Sequence, residues 1–277
     1  MRTTAILNLK GGVAKTVTTV NMAAILARDY KGRVLLIDAD CQCNCTEFFG
    51  GASDKGTLAD ILRLPDSYPD PVTFCANCIR GTTVDGVNLI PGDDSLMDLD
   101  LSKVELGRVS MNVLRQFVEA ANGLYDYILI DCPPAFNAAS AAALVAADDI
   151  IIPIKLDAFS LRGMGNLMRQ ISNMRKINPR LKLAGVLIDW TDELKTMCTE
   201  SPEFALAVRR KGKDLAGYIA LTAESGYEHR AMVDKRIVAK TTTIKQIMGS
   251  HEFAIGIPDK RTRRGLAEKY YLGKETA

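Results

Sequence analysis

The sequence predicts an α/β fold in which helices cover both faces of a twisted, mostly parallel sheet. Apolar strand-like runs alternate with segments of helical periodicity up to about residue 190, and this alternation is typical of parallel sheets. A glycine-rich segment follows the first apolar run, and two later apolar runs end in aspartate. A chain of 277 residues can bury a full core, so we expect one domain over residues 1–277.

The individual elements follow from the spacing of apolar residues. Continuous apolar runs indicate buried strands, and apolar residues that recur every three or four positions indicate helices. The Pro-rich segment 64–71 is predicted to be a surface loop, because core-type strands resume after it. In chain order we predict strand 3–9, helix 16–28, strand 33–38, helix 57–63, strand 87–91, helix 96–121, strand 126–131, helix 137–146, strand 149–154, helix 160–176 and strand 181–188.

A glycine-rich loop joins the first strand to the first helix. The backbone N–H groups of such a loop point at an anion, and the start of the helix adds the positive end of its dipole. We therefore expect a phosphate-binding loop, in which Lys15 reaches the β- and γ-phosphates and Thr16 binds magnesium. The residues of this nucleotide-binding segment are Lys10, Gly11, Gly12, Val13, Ala14, Lys15, Thr16 and Val17.

Three aspartates follow buried strands. Asp38 and Asp40 end the strand at 33–38, and Asp131 ends the strand at 126–131, just before a Pro-Pro pair. Parallel strands deliver their carboxyl ends to one edge of the sheet, where ligands bind. We expect all three carboxylates to face the phosphates held by the loop. A carboxylate in this position is also a common helix cap or turn former, so a purely structural role stays open for each.

These features together resemble the ParA/Soj family, the deviant Walker A ATPases that partition plasmids and chromosomes. The likeness is carried by the loop that begins with a lysine, by the segment 38–46 with its Gln42, Asn44 and Thr46, and by the segment 131–134. It also includes residues 89–94 and, more loosely, residues 160–163. It runs from residue 1 to about 190 and fades over the divergent part 191–277.

The resemblance implies a P-loop NTPase that hydrolyses ATP to ADP and phosphate with Mg²⁺. Lys15 would hold the phosphates, Lys10 would cross to the γ-phosphate of a partner subunit, and Asp40 would orient the attacking water. Thr16, Asp131 and, in a supporting role, Asp38 would hold the metal. A homodimer would form on ATP binding, bind DNA nonspecifically, and be released when a ParB-like centromere-binding protein stimulates hydrolysis. The expected location is cytoplasmic and nucleoid-associated.

The chain departs from the family pattern at several positions. Ala14 replaces the glycine that usually precedes the loop lysine, which is tolerable only where the backbone does not need a positive φ. Val17 replaces a hydroxyl residue that adds a contact to the phosphates, and Cys41 stands where the family has proline. The family's segments for the adenine pocket and part of the DNA surface are not recognisable after residue 200.

Charge is unevenly distributed along the chain. Residues 205–277 hold 15 Lys and Arg against 8 Asp and Glu, although the whole chain has a net charge of only +2. A basic carboxyl-terminal part indicates a polyanionic partner such as nucleic acid, and a solvated, locally paired surface is the alternative. The predicted DNA-contact group is Arg209, Arg210, Lys211 and Lys213, with Lys235, Arg236, Arg261, Arg263 and Arg264 behind it.

Two other function classes share these features. A MinD-like ATPase that cycles on membranes would use a final amphipathic helix, and residues 266–272 could form a short apolar face; docking of that helix on the protein explains the same pattern better. A metabolic or electron-transfer ATPase on the same fold would need a cluster or a second substrate site, and neither is recognisable. Metal or redox binding is a separate alternative for Cys41, Cys43, Cys45 and the pair Cys75 and Cys78, although the sequence has no suitable histidines nearby. No signal peptide or membrane-spanning run is recognisable, so no stable membrane association is expected.

Overall fold

The computed structural model describes residues 1–50, 55–105, 109–155, 158–189, 191–209 and 260–273. The chain divides into two compact units, Met1–Asp189 and Trp190–Ala277. A single domain over residues 1–277 stays a prediction.

The first unit is built on a seven-stranded sheet with the order β3-β4-β2-β5-β1-β6-β7. Within the described residues, only the short edge strand β3 runs antiparallel to its neighbour. The predicted mostly parallel α/β architecture is therefore confirmed. The strands are β1 (Arg2–Ile6), β2 (Val34–Asp38), β3 (Arg80–Gly81), β4 (Val87–Ile90), β5 (Tyr127–Asp131), β6 (Asp149–Lys155) and β7 (Lys182–Asp189).

Helices follow most of these strands. Helix α1 packs on the sheet beside β1, β2 and β5, and its Val20, Ala23 and Ala27 join the apolar core against Leu36 and Leu129. The helices of this unit are α1 (Lys15–Arg28), α2 (Asn44–Phe48), α3 (Leu58–Leu62), α4 (Pro71–Asn77), α5 (Leu101–Glu105), α6 (Asn112–Ala120), α7 (Ala138–Ala146) and α8 (Ala158–Ile177), with one 3₁₀ turn at Asp94–Asp98.

The strand register brings the aspartates together. Strand β5 lies between β1 and β2, and Asp131 is the register partner of both Ile6 and Asp38. The carboxyl ends of the three central strands therefore meet at one edge of the sheet. The loop after β1 begins at this edge, beside the carboxylates.

The predicted helix 96–121 is wrong as a single helix. The structure has a 3₁₀ turn, α5 and a separate α6 in this segment. Ser110 explains why α6 starts anew: its Oγ accepts the N–H groups of Asn112 at 3.1 Å and Val113 at 3.3 Å, while its own N–H donates to the carbonyl of Leu62. A serine that accepts the first helical N–H groups starts a helix, so apolar periodicity alone merged distinct elements.

The described helices of the second unit are α9 (Thr191–Glu200), α10 (Pro202–Val208) and α11 (Lys260–Leu272). The ring of Tyr271 packs edge-on against Phe204 at 5.5 Å between centroids, and Arg264 pairs with Glu200 at 2.6 Å. Ala267 and Tyr271 are buried, so α11 docks on its own unit as predicted. Among the described helices, none is both long and apolar enough to cross a bilayer.

Candidate nucleotide site

The loop after β1 has the backbone of an anion cradle. Gly12 has φ +68°, and among the described residues no atom lies within 4 Å of the place where a Cβ of Gly11 or Gly12 would stand. Both glycines are exposed, which leaves their backbone open to a ligand. Lys15 begins α1 directly after the loop, so the positive end of the helix dipole points to the same place.

Asn8 anchors the beginning of this loop. Its side-chain Nδ2 donates to the carbonyl of Pro153 in β6 at 2.6 Å, and its Oδ1 accepts the N–H of Lys10 at 3.0 Å. Asn8 is buried and therefore fixes where the loop leaves the sheet. Sequence reasoning missed this residue, although an asparagine inside an apolar run directly before a glycine loop is an available signal.

Lys15 is held inside the loop. Its Nζ donates to the carbonyl of Lys10 at 3.1 Å, and only 6% of the residue is exposed. Burial lowers the pKa of Lys15, while the nearby carboxylates of Asp131 and Asp40 act in the opposite direction. The ammonium group thus sits where the loop, the helix start and two carboxylates converge.

Asp131 lies beside the first turn of α1. Thr16 Oγ1 donates to Asp131 Oδ2 at 2.6 Å, and Thr19 Oγ1 lies 3.1 Å from Oδ1. Burial raises the pKa of Asp131 to about 7, and the charges of Asp38 and Asp40 add to the rise while the two threonines oppose it. A threonine hydroxyl and a carboxylate placed together form an oxygen pair of the kind that Mg²⁺ prefers.

Asp38 is completely buried and engaged by the backbone that follows it. Its Oδ2 accepts both the N–H and the hydroxyl of Thr46 at 2.7 Å, and its Oδ1 accepts the N–H of Asp40 at 3.2 Å. Burial raises the pKa of Asp38 to about 6 against the effect of these hydrogen bonds. With both oxygens occupied, Asp38 is placed to support the site rather than to contact a ligand directly.

Asp40 is the carboxylate of the loop after β2. Its Oδ1 accepts the N–H of Gln42 at 3.0 Å, and its carbonyl accepts the N–H of Cys43 at 3.0 Å. The residue is 6% exposed. Asp40 therefore forms a turn, and its carboxylate lies close enough to Lys15 to act against the lowering of the pKa of that lysine.

The residues present fit Mg²⁺ and a nucleoside triphosphate. The open glycine backbone and the buried Lys15 suit phosphates, and the Thr16 and Asp131 oxygens suit a hard cation. Val17 is 62% exposed at the start of α1, so a hydroxyl at this position would have been accessible to a ligand. Val13 is buried.

The cysteines near the site do not resemble reactive thiols. Cys45 and Cys132 are buried, and burial raises the pKa of both thiols. Burial raises the pKa of Cys43 to about 12. The described residues contain no group of three His, Cys, Asp or Glu side chains arranged to hold a metal ion.

The predicted DNA-contact residues belong to the second unit. Arg209 follows α10 and is exposed. Arg264 is engaged in ion pairs with Glu200 and with Glu268 at 3.5 Å. Arg210, Lys211, Lys213, Lys235 and Arg236 lie outside the described residues.

The fold and site define a P-loop nucleotide-binding protein of the α/β class. Residues 1–183 match the AAA domain family designated AAA_31. The chain is 37% identical over 202 residues to the chromosome partitioning protein ParA of Caulobacter vibrioides, covering 71% of this chain and 72% of that protein. It is 36% identical over 192 residues to the sporulation initiation inhibitor protein Soj of Bacillus subtilis, covering 68% and 72%.

A solved structure of similar fold was determined with an ATP analogue and magnesium. Cobyrinic acid a,c-diamide synthase from Mycobacterium smegmatis, with a bound ATP analogue and magnesium, has a TM-score of 0.57 and 32% identity, covering 68% of this chain and 74% of that one. The chain described here belongs to the ParA/Soj family of chromosome-partitioning ATPases. The resemblance drawn from its sequence is thereby confirmed.

Ala14 is the strained residue of the site. It has φ 62° and ψ 29°, the left-handed conformation, at the N-cap of α1. Alanine would be tolerated without strain only if the backbone at this position did not need a positive φ. The backbone does need a positive φ, so this condition is not met. That conformation costs a non-glycine residue about 1–2 kcal/mol, whereas glycine adopts it freely.

We expect Ala14→Gly to raise the free energy of unfolding by about 0.5–1 kcal/mol, since relief of strain exceeds the extra chain entropy of glycine. Urea unfolding measures this change. The control is Ala23→Gly in the buried interior of α1, which should lower stability by about 1 kcal/mol or more. Destabilisation of Ala14→Gly comparable to that of Ala23→Gly would contradict strain at Ala14.

Proposed function

We propose that this protein is an ATP-dependent DNA-partitioning ATPase that works as a nucleotide-controlled dimer. The observation that carries the proposal is the meeting of Lys15, Thr16, Asp40 and Asp131 at one sheet edge beside the open backbone of Gly12. Family membership supports ATPase activity, and the geometry is consistent with the residue roles proposed below.

Hydrolysis would be phosphoryl transfer to water, in which the protein positions groups and neutralises charge. Lys15 would leave the carbonyl of Lys10 for the β- and γ-phosphates. Mg²⁺, held by Thr16 and Asp131 and supported by Asp38, would neutralise phosphate charge when bound. Asp40 would accept a hydrogen bond from the attacking water and so orient it.

In a homodimer, Lys10 of each subunit would act in the nucleotide site of the other subunit. Its backbone already serves its own loop, through the N–H that donates to Asn8 and the carbonyl that accepts from Lys15. We propose that its side chain crosses to the γ-phosphate of the partner, so that ATP holds two subunits together. Dimerisation then depends on the nucleotide, and the dimer dissociates after hydrolysis.

The ATP-bound dimer would bind DNA without sequence preference and be released when a ParB-like centromere-binding protein stimulates hydrolysis. The basic part of the chain from residue 205 onward supports contacts to phosphates, which make binding weakly sequence-dependent and sensitive to salt. Arg209, which is exposed, is among the proposed contacts, together with Arg210, Lys211 and Lys213. Nucleoid association in the cytoplasm follows from this proposal.

A MinD-like membrane cycle has less support. The final helix α11 has Ala267 and Tyr271 buried, and the ring of Tyr271 packs on Phe204. Two of its apolar residues are thus engaged within their own unit rather than offered to a lipid surface.

Removal of magnesium tests the proposed chemistry. We expect the wild-type protein to release ADP and phosphate from ATP, and chelation with EDTA to reduce this release to background because the phosphate charge is no longer neutralised. Excess Mg²⁺ should restore the rate. Hydrolysis that persists at full rate in EDTA would contradict the metal role of Thr16 and Asp131.

A further inference from the structure

Thr46 connects three segments of the first unit. It is 3% exposed, and its N–H and Oγ1 both lie 2.7 Å from Asp38 Oδ2. The N–H of Gly92 donates to the same Oγ1 at 3.0 Å. Because that N–H can only donate, the hydroxyl proton of Thr46 is directed to Asp38, and the hydroxyl is used fully as donor and acceptor.

Asp38 takes the place of a capping residue for α2. The residue at the helix start, Cys43, makes no side-chain capping hydrogen bond. Instead, Asp38 accepts the N–H of Thr46, the third residue of α2, which is the N–H that an ordinary cap satisfies. The short helix is therefore held in place from strand β2 through Thr46.

The other oxygen of Asp38 fixes the loop that carries Asp40. The N–H of Asp40 donates to Asp38 Oδ1, and the carboxylate of Asp40 accepts from Gln42. A continuous path of hydrogen bonds thus runs from Gly92 through Thr46 and Asp38 to Asp40. Removing the Thr46 hydroxyl would disconnect Gly92 from this path and leave Asp38 with only the N–H of Thr46.

Gly92 shows how closely these segments approach one another. A Cβ at this position would lie 2.8 Å from the carbonyl oxygen of Asp38 and 3.3 Å from that of Asp40. The segment after β4 therefore lies directly against the Asp38–Asp40 backbone. Its Pro91 carbonyl also accepts the N–H of Leu58 at 2.8 Å, which ties α3 to the same segment.

We propose that Thr46 is a positioning residue for hydrolysis: its hydroxyl, held between Gly92 and Asp38, fixes the loop that carries the Asp40 carboxylate. This inference rests on the proposed role of Asp40 in orienting water. Loss of the hydroxyl removes the bond from Gly92 and one of the two bonds from Thr46 to Asp38, which loosens the support of the loop without removing any group that contacts ATP. We expect the effect to appear in kcat, because misplacement of a catalytic group by about 1 Å can lower the rate by about 10²-fold.

The test compares Thr46→Val, Thr46→Ser and the wild-type protein. We expect Thr46→Val to lower kcat by about 10- to 100-fold with KM for ATP changed less than about twofold. Thr46→Ser keeps the hydroxyl and should retain most of the wild-type kcat. If Thr46→Val does not fold, Thr46→Ala removes the same hydroxyl without adding bulk and takes its place.

Thr3→Val is the matched control. Thr3 is completely buried in β1, and its Oγ1 has no hydrogen-bond partner among the described residues. The same chemical change there should leave kcat and KM unchanged and should not reduce stability, because no hydrogen bond is lost.

The outcomes separate this inference from the proposed function. A wild-type kcat in Thr46→Val, or an equal loss in Thr46→Ser, would overturn the positioning role. Asp40→Asn tests the underlying assumption: it should abolish hydrolysis while the wild-type protein is active. An active Asp40→Asn variant would refute the proposed role of Asp40, and a wild-type protein that does not hydrolyse ATP would refute the proposed function; the role of Thr46 would fail in either case.

Discussion

Lys10→Ala is expected to lower the rate of ATP hydrolysis by about 10³-fold, the lower range for loss of a cation that a partner places on the transferring phosphate. The variant keeps the backbone of residue 10, so the hydrogen bonds to Asn8 and Lys15 at this position remain possible. The affinity of the single subunit for ATP should therefore change little. The measurements are steady-state hydrolysis and equilibrium binding of a fluorescent ATP analogue.

The control for this prediction is Lys176→Ala in the exposed last turn of α8. This change removes the same charge at a position that precedes β7, away from the carboxyl edge of the sheet, and should leave hydrolysis at the wild-type rate. Light scattering should show that ATP shifts wild-type protein, but not Lys10→Ala, to the mass of a dimer. A variant that hydrolyses ATP normally would contradict the role of Lys10 in the partner's site.

Asp131→Asn is expected to abolish hydrolysis and, at the same time, to stabilise the nucleotide-free protein above pH 7 by about 1–3 kcal/mol. Asp131 is fully buried among other carboxylates, and burial raises its pKa to about 7. An asparagine keeps the hydrogen bonds without the charge, since its oxygen can accept from Thr16 and its amide can donate to Thr19. Thr19 Oγ1 already lies 3.0 Å from the carbonyl of Lys15, to which it can donate.

The raised pKa of Asp131 also predicts the direction in which the free energy of unfolding changes with pH. A carboxyl with a raised pKa binds more protons in the folded state than in the unfolded state between about pH 4 and pH 7. Its contribution to the free energy of unfolding therefore falls as pH rises through this window. Asp131→Asn should remove this part of the decline, as chemical unfolding measured from pH 5 to pH 8 would show.

Asp126→Asn is the control with the opposite sign. Hydrogen bonds from Arg33 lower the pKa of Asp126 to about 2, so its ionised form favours the folded state. The control variant should lose stability at pH 8, whereas Asp131→Asn gains it. Equal destabilisation of both variants would contradict the idea that Asp131 is retained for function at the expense of stability.

The strands and the loop of the site could be predicted because their signals are local. Apolar runs that end in Asp38 and Asp131 and a glycine loop after β1 are recognisable within about ten residues. The helix α4 was missed although Asp70 caps it by accepting the N–H of Thr73 at 3.0 Å. The capping pattern is present in the sequence, but the predicted loop 64–71 includes the proline at the first helical position.

The supporting residues of the site could not be predicted in the same way. Asn8 bonds to Pro153, and Gly92 bonds to Thr46; each pair is far apart in sequence and is joined only by the order of strands in the sheet. A threonine in a short helix or a glycine in a loop can have many partners, so its local sequence does not reveal such a contact. Positive φ at Ala14 was likewise visible only in the structure, because alanine suggests the opposite.

Control of DNA binding by the ATP dimer is tested by measuring binding to nonspecific duplex DNA with ATP, with ADP and without nucleotide, across a series of salt concentrations. We expect binding only with ATP, a steep loss of affinity as salt rises, and no ATP-dependent binding by Lys10→Ala. Equal binding in all three nucleotide states, or ATP-dependent binding that Lys10→Ala retains, would contradict a DNA-binding state controlled by the ATP dimer.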